Sequence, residues 1–593
     1  MSSSIVKVGT IASNPATQRA TAVHLSYDSK SDRIVYASGK SIFIRSLKNP
    51  SECIQFNNHN FNTTVAKFSP SGYYVASGDE SGNVKIWDCV GEDLIVKGEY
   101  QIINGRINDI AWDADSTRVI AVGNGKERYG HCFTADSGNT VGEISGHTAP
   151  INAVSIRPCR PYRAVTVSDD AGLVFMNGPP FKFAQSVRGH HKNFVRDVKF
   201  SKDGNYIVSV GADRMIVLYD GKTGDFIKQF SDSHDAGIFS VDWYDESSFV
   251  TGSADSTVKL WNVEGELLNT WTLKKDLTNQ ILGVVTASEY VVALTYSGDL
   301  YYFDKSSESP VNAIYGHQKS ITALSFSSEN GLYTGSYDGR IIKWDLDSKT
   351  GTLVEGDSHS NLVIGIEEIG NELITAGWDD SLKKISGSVI TSLSSLTEQP
   401  VQIAKLNSSI AVITEQALTI YDLAGTVTES LTLDYTPSAI AVSSKYIILA
   451  DSTSFALKVY DSSSLKLLSS SLQPMRAKPS LMKVSPNGKF LACGDTTGKI
   501  NCYNLEDFSL VTSRWAFHTA KINSMSWSED NDHIVTASLD TNIYIYSAVK
   551  PARNIKALNA HKEGVNAVAW ISADEVVSSG TDSCVKFWKV KYA

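Results

Sequence analysis

Gly316-His317, the apolar run Ile321 to Phe326, Gly335-Ser336-Tyr337-Asp338-Gly339 and Ile341-Ile342-Lys343-Trp344-Asp345 form the clearest copy of a phrase that recurs along the whole chain. Its closing aromatic returns at Trp87, Phe175, Tyr219, Trp261, Phe303, Tyr421, Tyr460, Tyr503, Tyr546 and Trp588, with weaker copies near Arg45, Phe133 and Ile385. Fourteen copies in 593 residues give a period of about 42. Each copy reads as short β-forming runs separated by turn residues, with almost no helical periodicity. His317 precedes Asp338 by 21 residues and Asp338 precedes Trp344 by six; His234, Asp255 and Trp261 keep the same intervals, as do His561, Asp582 and Trp588. A buried His or Trp N–H needs a partner, and the turn Asp can supply one. Because these sets recur once per copy instead of converging on one place, they are structural and not metal or acid–base sites.

A period in the low forties with Gly-His and Trp-Asp marks is similar to the WD repeat, one four-stranded propeller blade per copy. The fold class expected is all-β, with two seven-bladed WD-repeat β-propellers in tandem, because fourteen blades exceed a single ring. A ring is stable only if its seam leaves no sheet edge open. Blade 7 has an outer strand of its own, Pro310 to Tyr315, whereas blade 14 runs out after Trp588. Ile5 to Ile11 is the unassigned β-like segment and is expected to supply that strand. The organisation read from the sequence is therefore 1–12 as the strand completing blade 14, 13–315 as the first propeller and 316–593 as the second.

The charge balance, 54 basic against 64 acidic residues, is −10 and contains no basic run, which weighs against nucleic acid or an anionic membrane as partner. Seven scattered cysteines form no C-x-x-C pair, so neither a zinc site nor a disulfide framework is indicated. No signal-peptide core or long apolar segment is present, and a reducing, cytoplasmic setting fits best. Gly123 to Gly130 has the wrong glycine spacing for a dinucleotide loop, and Asp220 to Gly224 reads as a hairpin turn instead of a phosphate loop. No nucleophile elbow or zincin motif occurs. An enzyme on this fold would need polar residues converging on a propeller channel, and the sequence displays none. No catalytic residue, cofactor or metal is expected.

Function should then lie where loops break the repeat. The largest irregularities fall in blades 3 to 5: Lys126 to His131 in place of the blade 3 turn, the basic loop Arg157 to Arg163, and the doubled aspartate Asp169-Asp170. Gly178-Pro179-Pro180-Phe181-Lys182-Phe183 follows at the entry to the outer strand of blade 4, and Phe194 lies in the next connection. Alternation places one of Phe181 and Phe183 in the core, and an aromatic–Lys–aromatic face has the composition of a protein-binding hot spot. Asp169, six residues before Phe175, takes the structural turn position, which makes Asp170 the freer carboxylate.

Gly178 to Phe183, Lys126 to His131, Arg476 to Ser480 and Ser513 to Phe517 together resemble the actin-interacting protein 1 family, double-propeller WD-repeat partners of cofilin. The resemblance covers the whole chain. It implies a non-enzymatic, monomeric protein of the cytoplasmic and cortical actin cytoskeleton that binds cofilin-decorated filaments, speeds their severing and disassembly, and caps new barbed ends. It further implies an actin- and cofilin-facing patch comprising Glu127, Asp169 or its neighbour Asp170, Lys182, Phe183 and Phe194. A generic double-propeller scaffold for a ubiquitin-ligase, trafficking or signalling complex is the alternative, since fold does not dictate function. The strings of blades 3 to 5 discriminate, because such a scaffold has no reason to carry them.

Overall fold

The computed structural model describes residues 3–230, 233–469 and 472–592. Within them the chain is all-β, without a helix, and forms fourteen sheets. It divides into two compact units, Asn14–Gln318 and Met1–Ser13 with Lys319–Ala593. Each unit is a seven-bladed propeller. Blades 1 to 7 are four-stranded antiparallel meanders, as are blades 8, 10, 12 and 13 of the second unit. Blade 9 gains a short parallel pairing of Glu355–Gly356 with Val389–Ser395. Blade 11 has three strands and a single outer bridge, Tyr460 to Leu467, among the described residues.

The second strand of a blade is covered on both faces by neighbouring blades, so it reads as a continuous apolar run instead of an alternating one. Val119 to Val122, Ile410 to Ile413 and Ile447 to Ala450 are of this kind, and all are buried. The core accordingly lies between blades. Val84 and Ile86 of blade 2 pack with Ile110, Val119 and Phe133 of blade 3 in one cluster, and Ile120, Val122 and Cys132 of blade 3 pack with Val154, Val174 and Phe181 of blade 4 in the next.

Several blades are pinned by a polar set that includes a residue the sequence spacing did not expose. In blade 6, His234 Nδ1 lies 3.0 Å from Asp255, its Nε2 lies 2.8 Å from the Thr251 hydroxyl, and Trp261 Nε1 donates to the same hydroxyl at 3.0 Å. Blade 14 repeats this with His561, Asp582, Ser578 and Trp588, and blade 2 with His59, Asp79, Ser77 and Trp87. A Ser or Thr on the second strand, ten residues before the Trp, is the hinge of the set. Its oxygen accepts from Trp while its proton goes to His, so every buried group is paired.

The first propeller closes where Val23 N donates to Leu282 O at 2.9 Å, setting blade 1 beside blade 7. In the second, Asn566 Nδ2 donates to Ile321 O at 2.8 Å across blades 14 and 8. The strand Ser4–Ile11 pairs antiparallel with Val585–Lys591 as the outer strand of blade 14, from Ser4 opposite Lys591 to Ile11 opposite Val585, with a bulge between Lys7 and Gly9. Ile11 is buried in one cluster with Ile321, Trp344, Val585 and Phe587.

Candidate partner-binding site on the first propeller

Strand reversal fixes which loops share an end of a blade. In blade 4 the strands are Ile151–Ile156, Arg163–Ser168, Leu173–Asn177 and Lys182–Val187. The turn between the second and third strands, holding Asp169 and Asp170, therefore lies at the same end as the connections into blades 4 and 5, holding Gly146-His147 and Phe194. The Lys126 to Tyr129 turn of blade 3 occupies the equivalent position, and Glu127 is exposed on it. Arg157 to Arg163 and the start of the outer strand lie at the opposite end. That basic loop is tied inward: Arg157 Nε donates to Gly204 O at 2.8 Å and Tyr162 is buried.

The two aspartates exchange the roles assigned from the sequence. Asp170 is the structural carboxylate. It accepts from Thr148 N and Arg188 Nη2, each at 2.9 Å, stands 3.1 Å from His147 Nδ1, and its side chain is only 5% exposed. Asp169 is the freer one, accepting from Asn152 Nδ2 at 2.8 Å with its side chain 28% exposed. The cause is the landmark. His147 Nε2 reaches Thr166, and the residue ten places beyond it, where Trp261 stands relative to Thr251, is Met176 and not Phe175. Asp170, six before Met176, thus holds the turn.

This pairing has a pH consequence. Burial by itself would raise the Asp170 carboxyl, but the Thr148 amide, His147 and Arg188 outweigh it and hold it at about 2. A carboxyl held below its unfolded value stabilises the fold fully above pH ~4 and loses that contribution as pH falls through about 2, here ~2 kcal/mol. His147, held below its ordinary value by burial, acts in the same direction from pH ~6.5 downward. Acid unfolding of the first propeller should therefore lose part of its slope between pH 4 and 2 in Asp170→Asn, as followed by circular dichroism; an unchanged slope would count against this role.

Of the two candidate core aromatics, Phe181 is buried against blade 3 and Phe183 is 49% exposed. The Phe183 ring lies on the backbone of Gly146, where φ is +100° and an added Cβ would come within 2.8 Å of the ring. Glycine there both permits the turn and makes room for the aromatic. Phe194 is 42% exposed, and the Arg196 guanidinium lies 5.0 Å from its ring centre. Arg196 also stands 3.6 Å from Asp169. Asp169, Arg196 and Phe194 therefore form one contiguous group. Lys182 is exposed but begins the outer strand, six residues from Arg188, or about 20 Å along the strand. The face so built runs down the edge of blade 4.

Polar residues do converge on the first propeller's channel, against the sequence expectation. His24, Lys67, Asp109, Asp197, Lys199 and Asp242 come from the inner positions of five blades, and no local spacing links them. Lys67 Nζ lies 3.5 Å from Asp109 and His24 Nδ1 lies 3.5 Å from Asp197. Each carboxylate also spans to the next blade: Asp109 accepts from Val154 N at 3.0 Å, Asp197 from Val241 N at 3.0 Å, and Asp242 from Thr286 N at 2.7 Å. Burial pulls the Lys67 ammonium down to about 8. Burial would raise Asp109, but the surrounding His24, Lys67 and Lys199 charges bring it to about 2. The carboxylates are occupied in joining blades, and the cluster reads as a hub. Among the described residues, no group of three or more His, Cys, Asp or Glu could hold a metal ion, and no helix is long and apolar enough to cross a membrane.

Comparison with known proteins gives two findings. The family model "WD domain, G-beta repeat" matches residues 51–88, 181–220, 224–262, 308–345, 510–547 and 552–589. Actin-interacting protein 1 of Drosophila melanogaster is 34% identical over 596 residues, covering 97% of each chain. Actin-interacting protein 1 of Caenorhabditis elegans is 34% identical over 602 residues and 98% of each chain, as is WD repeat-containing protein 1 of Xenopus tropicalis over 603 residues.

Proposed function

Because this chain belongs to the family of actin-interacting protein 1, we propose that it binds actin filaments already decorated with cofilin, speeds their severing and disassembly, and caps newly made barbed ends. It works as a monomer in the cytoplasm at cortical actin and performs no chemical step. The observation that carries this reading is the pair of half-exposed aromatics, Phe183 and Phe194, each fixed against its own surroundings and flanked by charge. Rigid aromatic anchors with a polar rim are what a protein-binding hot spot requires. Glu127, Asp169, Lys182 and Arg196 supply the rim, and Asp170 holds the turn that presents Asp169.

Severing follows from differential affinity. A ligand shifts a filament toward its cofilin-bound geometry only by as much as it prefers that geometry. The extent of the face, from the Asp169 turn to Lys182, suits two proteins lying side by side. The test is sedimentation of preformed filaments with this protein, with and without cofilin. Actin left in the supernatant should rise markedly only when both proteins are present. An equal rise with this protein alone, or none with both, would overturn the proposal.

A further inference from the structure

Beside the aromatic face, the channel of the first propeller opens into a cavity of about 220 Å³ lined by Gln18, Asn108, Asn152, Asp169, Arg106 and Arg196, among others. We infer that this mouth is a seat for one acidic side chain presented by the filament partner, gripped by Arg106 and Arg196; the inference rests on the filament-binding reading and adds the chemistry that the surface selects.

The donor inventory leads there. Asn108 Nδ2 is spent on Ile151 O at 2.9 Å, and Asn152 Nδ2 on Asp169 and Val195 O, each at 2.8 Å. Gln18 Oε1 accepts from Arg106 Nη1 at 2.8 Å, which orients that guanidinium. The cationic donors that the lining offers a ligand are those of the two arginines. Both Nε atoms are buried and have no hydrogen-bond partner among the described residues. Burial penalises the charge of both guanidinium groups, pulling each below its ordinary value. A buried cation without a full counter-ion gains from an anion supplied from outside.

The balance also sets the ligand's charge. Two guanidinium groups share the lining with one carboxylate, Asp169, which is 3.6 Å from Arg196, while Glu80, outside the lining, attracts Arg106. Within the lining the deficit is one negative charge, which a carboxylate meets with the planar fork geometry that arginine favours. A phosphate dianion would overshoot that deficit and meet Asp169 at close range. The cavity is smaller than a drug-sized pocket, so it suits a single side chain and not a cofactor. The loops around the mouth carry Lys126, Arg128 and Lys192 beside the acidic Glu80 and Glu127.

Arg106→Gln and Arg196→Gln in the full chain test this, with two probes: cofilin-decorated filaments, and a fluorescent Asp-Glu-Asp-Glu peptide set against its Asn-Gln-Asn-Gln counterpart. Each variant should bind decorated filaments at least tenfold more weakly at an unchanged melting temperature, and only the acidic peptide should bind the wild type and compete. If a Gln variant fails to fold, the Lys variant replaces it and should still bind more weakly, because it keeps charge and loses the fork. Wild-type affinity in both variants would overturn the seat. If wild-type protein ignores decorated filaments, the filament reading falls, and the peptide alone decides: arginine-dependent binding keeps the seat, and no binding removes it.

Discussion

Phe183→Ala combined with Phe194→Ala should abolish the cofilin-dependent enhancement of filament disassembly while leaving both propellers folded. The two rings are about half exposed, so the loss of each costs the fold about 1 kcal/mol. Binding is another matter. An aromatic anchor at the centre of an interface contributes about 2 kcal/mol or more when truncated, roughly 30-fold in affinity. Removal of both should take binding well below the concentrations at which the wild type acts. Lys182→Ala and Glu127→Ala, at the rim, should have smaller effects that grow at low salt. Full activity in the folded double variant would place the filament surface elsewhere on the molecule.

Deleting residues 2–12 should strip blade 14 of its outer strand and lower the melting temperature of the second propeller by about 10 °C. The ladder from Ser4 to Ile11 would be lost along the whole of Val585–Lys591. Burial of Ile11 beside Trp344 and Phe587 contributes about 1.5–3 kcal/mol by itself. Ile5, packed against the cluster that contains Trp588 and Val590, contributes part of another such term. The combined loss of about 3–4 kcal/mol, at about 2–4 °C per kcal/mol for a unit of this size, gives the expected shift. The exposed edge would also invite association between copies, visible as light scattering on heating. A second-propeller transition that keeps its wild-type temperature would show that the strand adds little. Scanning calorimetry of the truncated chain beside Ile11→Ala separates the ladder from the side chain.

The blade count and the all-β class were legible because the repeat supplies fourteen readings of one pattern, and errors in single blades average out. One of Phe181 and Phe183 is indeed core, but not through alternation, since residues two apart share a strand face; Phe181 is buried in the turn before the outer strand begins at Lys182. The aspartates were not. Phe175 offered a more conspicuous landmark than Met176, yet the turn is keyed to the Thr166 hydroxyl that His147 holds, a position that looks like any other Thr in a strand. The hydroxyl partners Ser77, Thr251 and Ser578 escaped for the same reason: Ser and Thr are too common for one to stand out without its His and Trp in view. The channel hub was invisible on different grounds. His24, Lys67, Asp109, Asp197 and Asp242 lie a blade or more apart in sequence, and only closure of the ring brings them together. Arg106 and Arg196 belong to that class as well. Each sits in an ordinary inner strand, and their relation exists only across the mouth.

The central claim is that this surface prefers the cofilin-decorated filament, and that preference can be measured directly as the ratio of two affinities. Binding of the labelled wild-type chain to bare filaments and to filaments saturated with cofilin should differ by at least tenfold in favour of the decorated form, with the difference lost in the Phe183→Ala, Phe194→Ala protein. Equal affinity for the two filaments would contradict the account, because a ligand without preference shifts no equilibrium however tightly it binds.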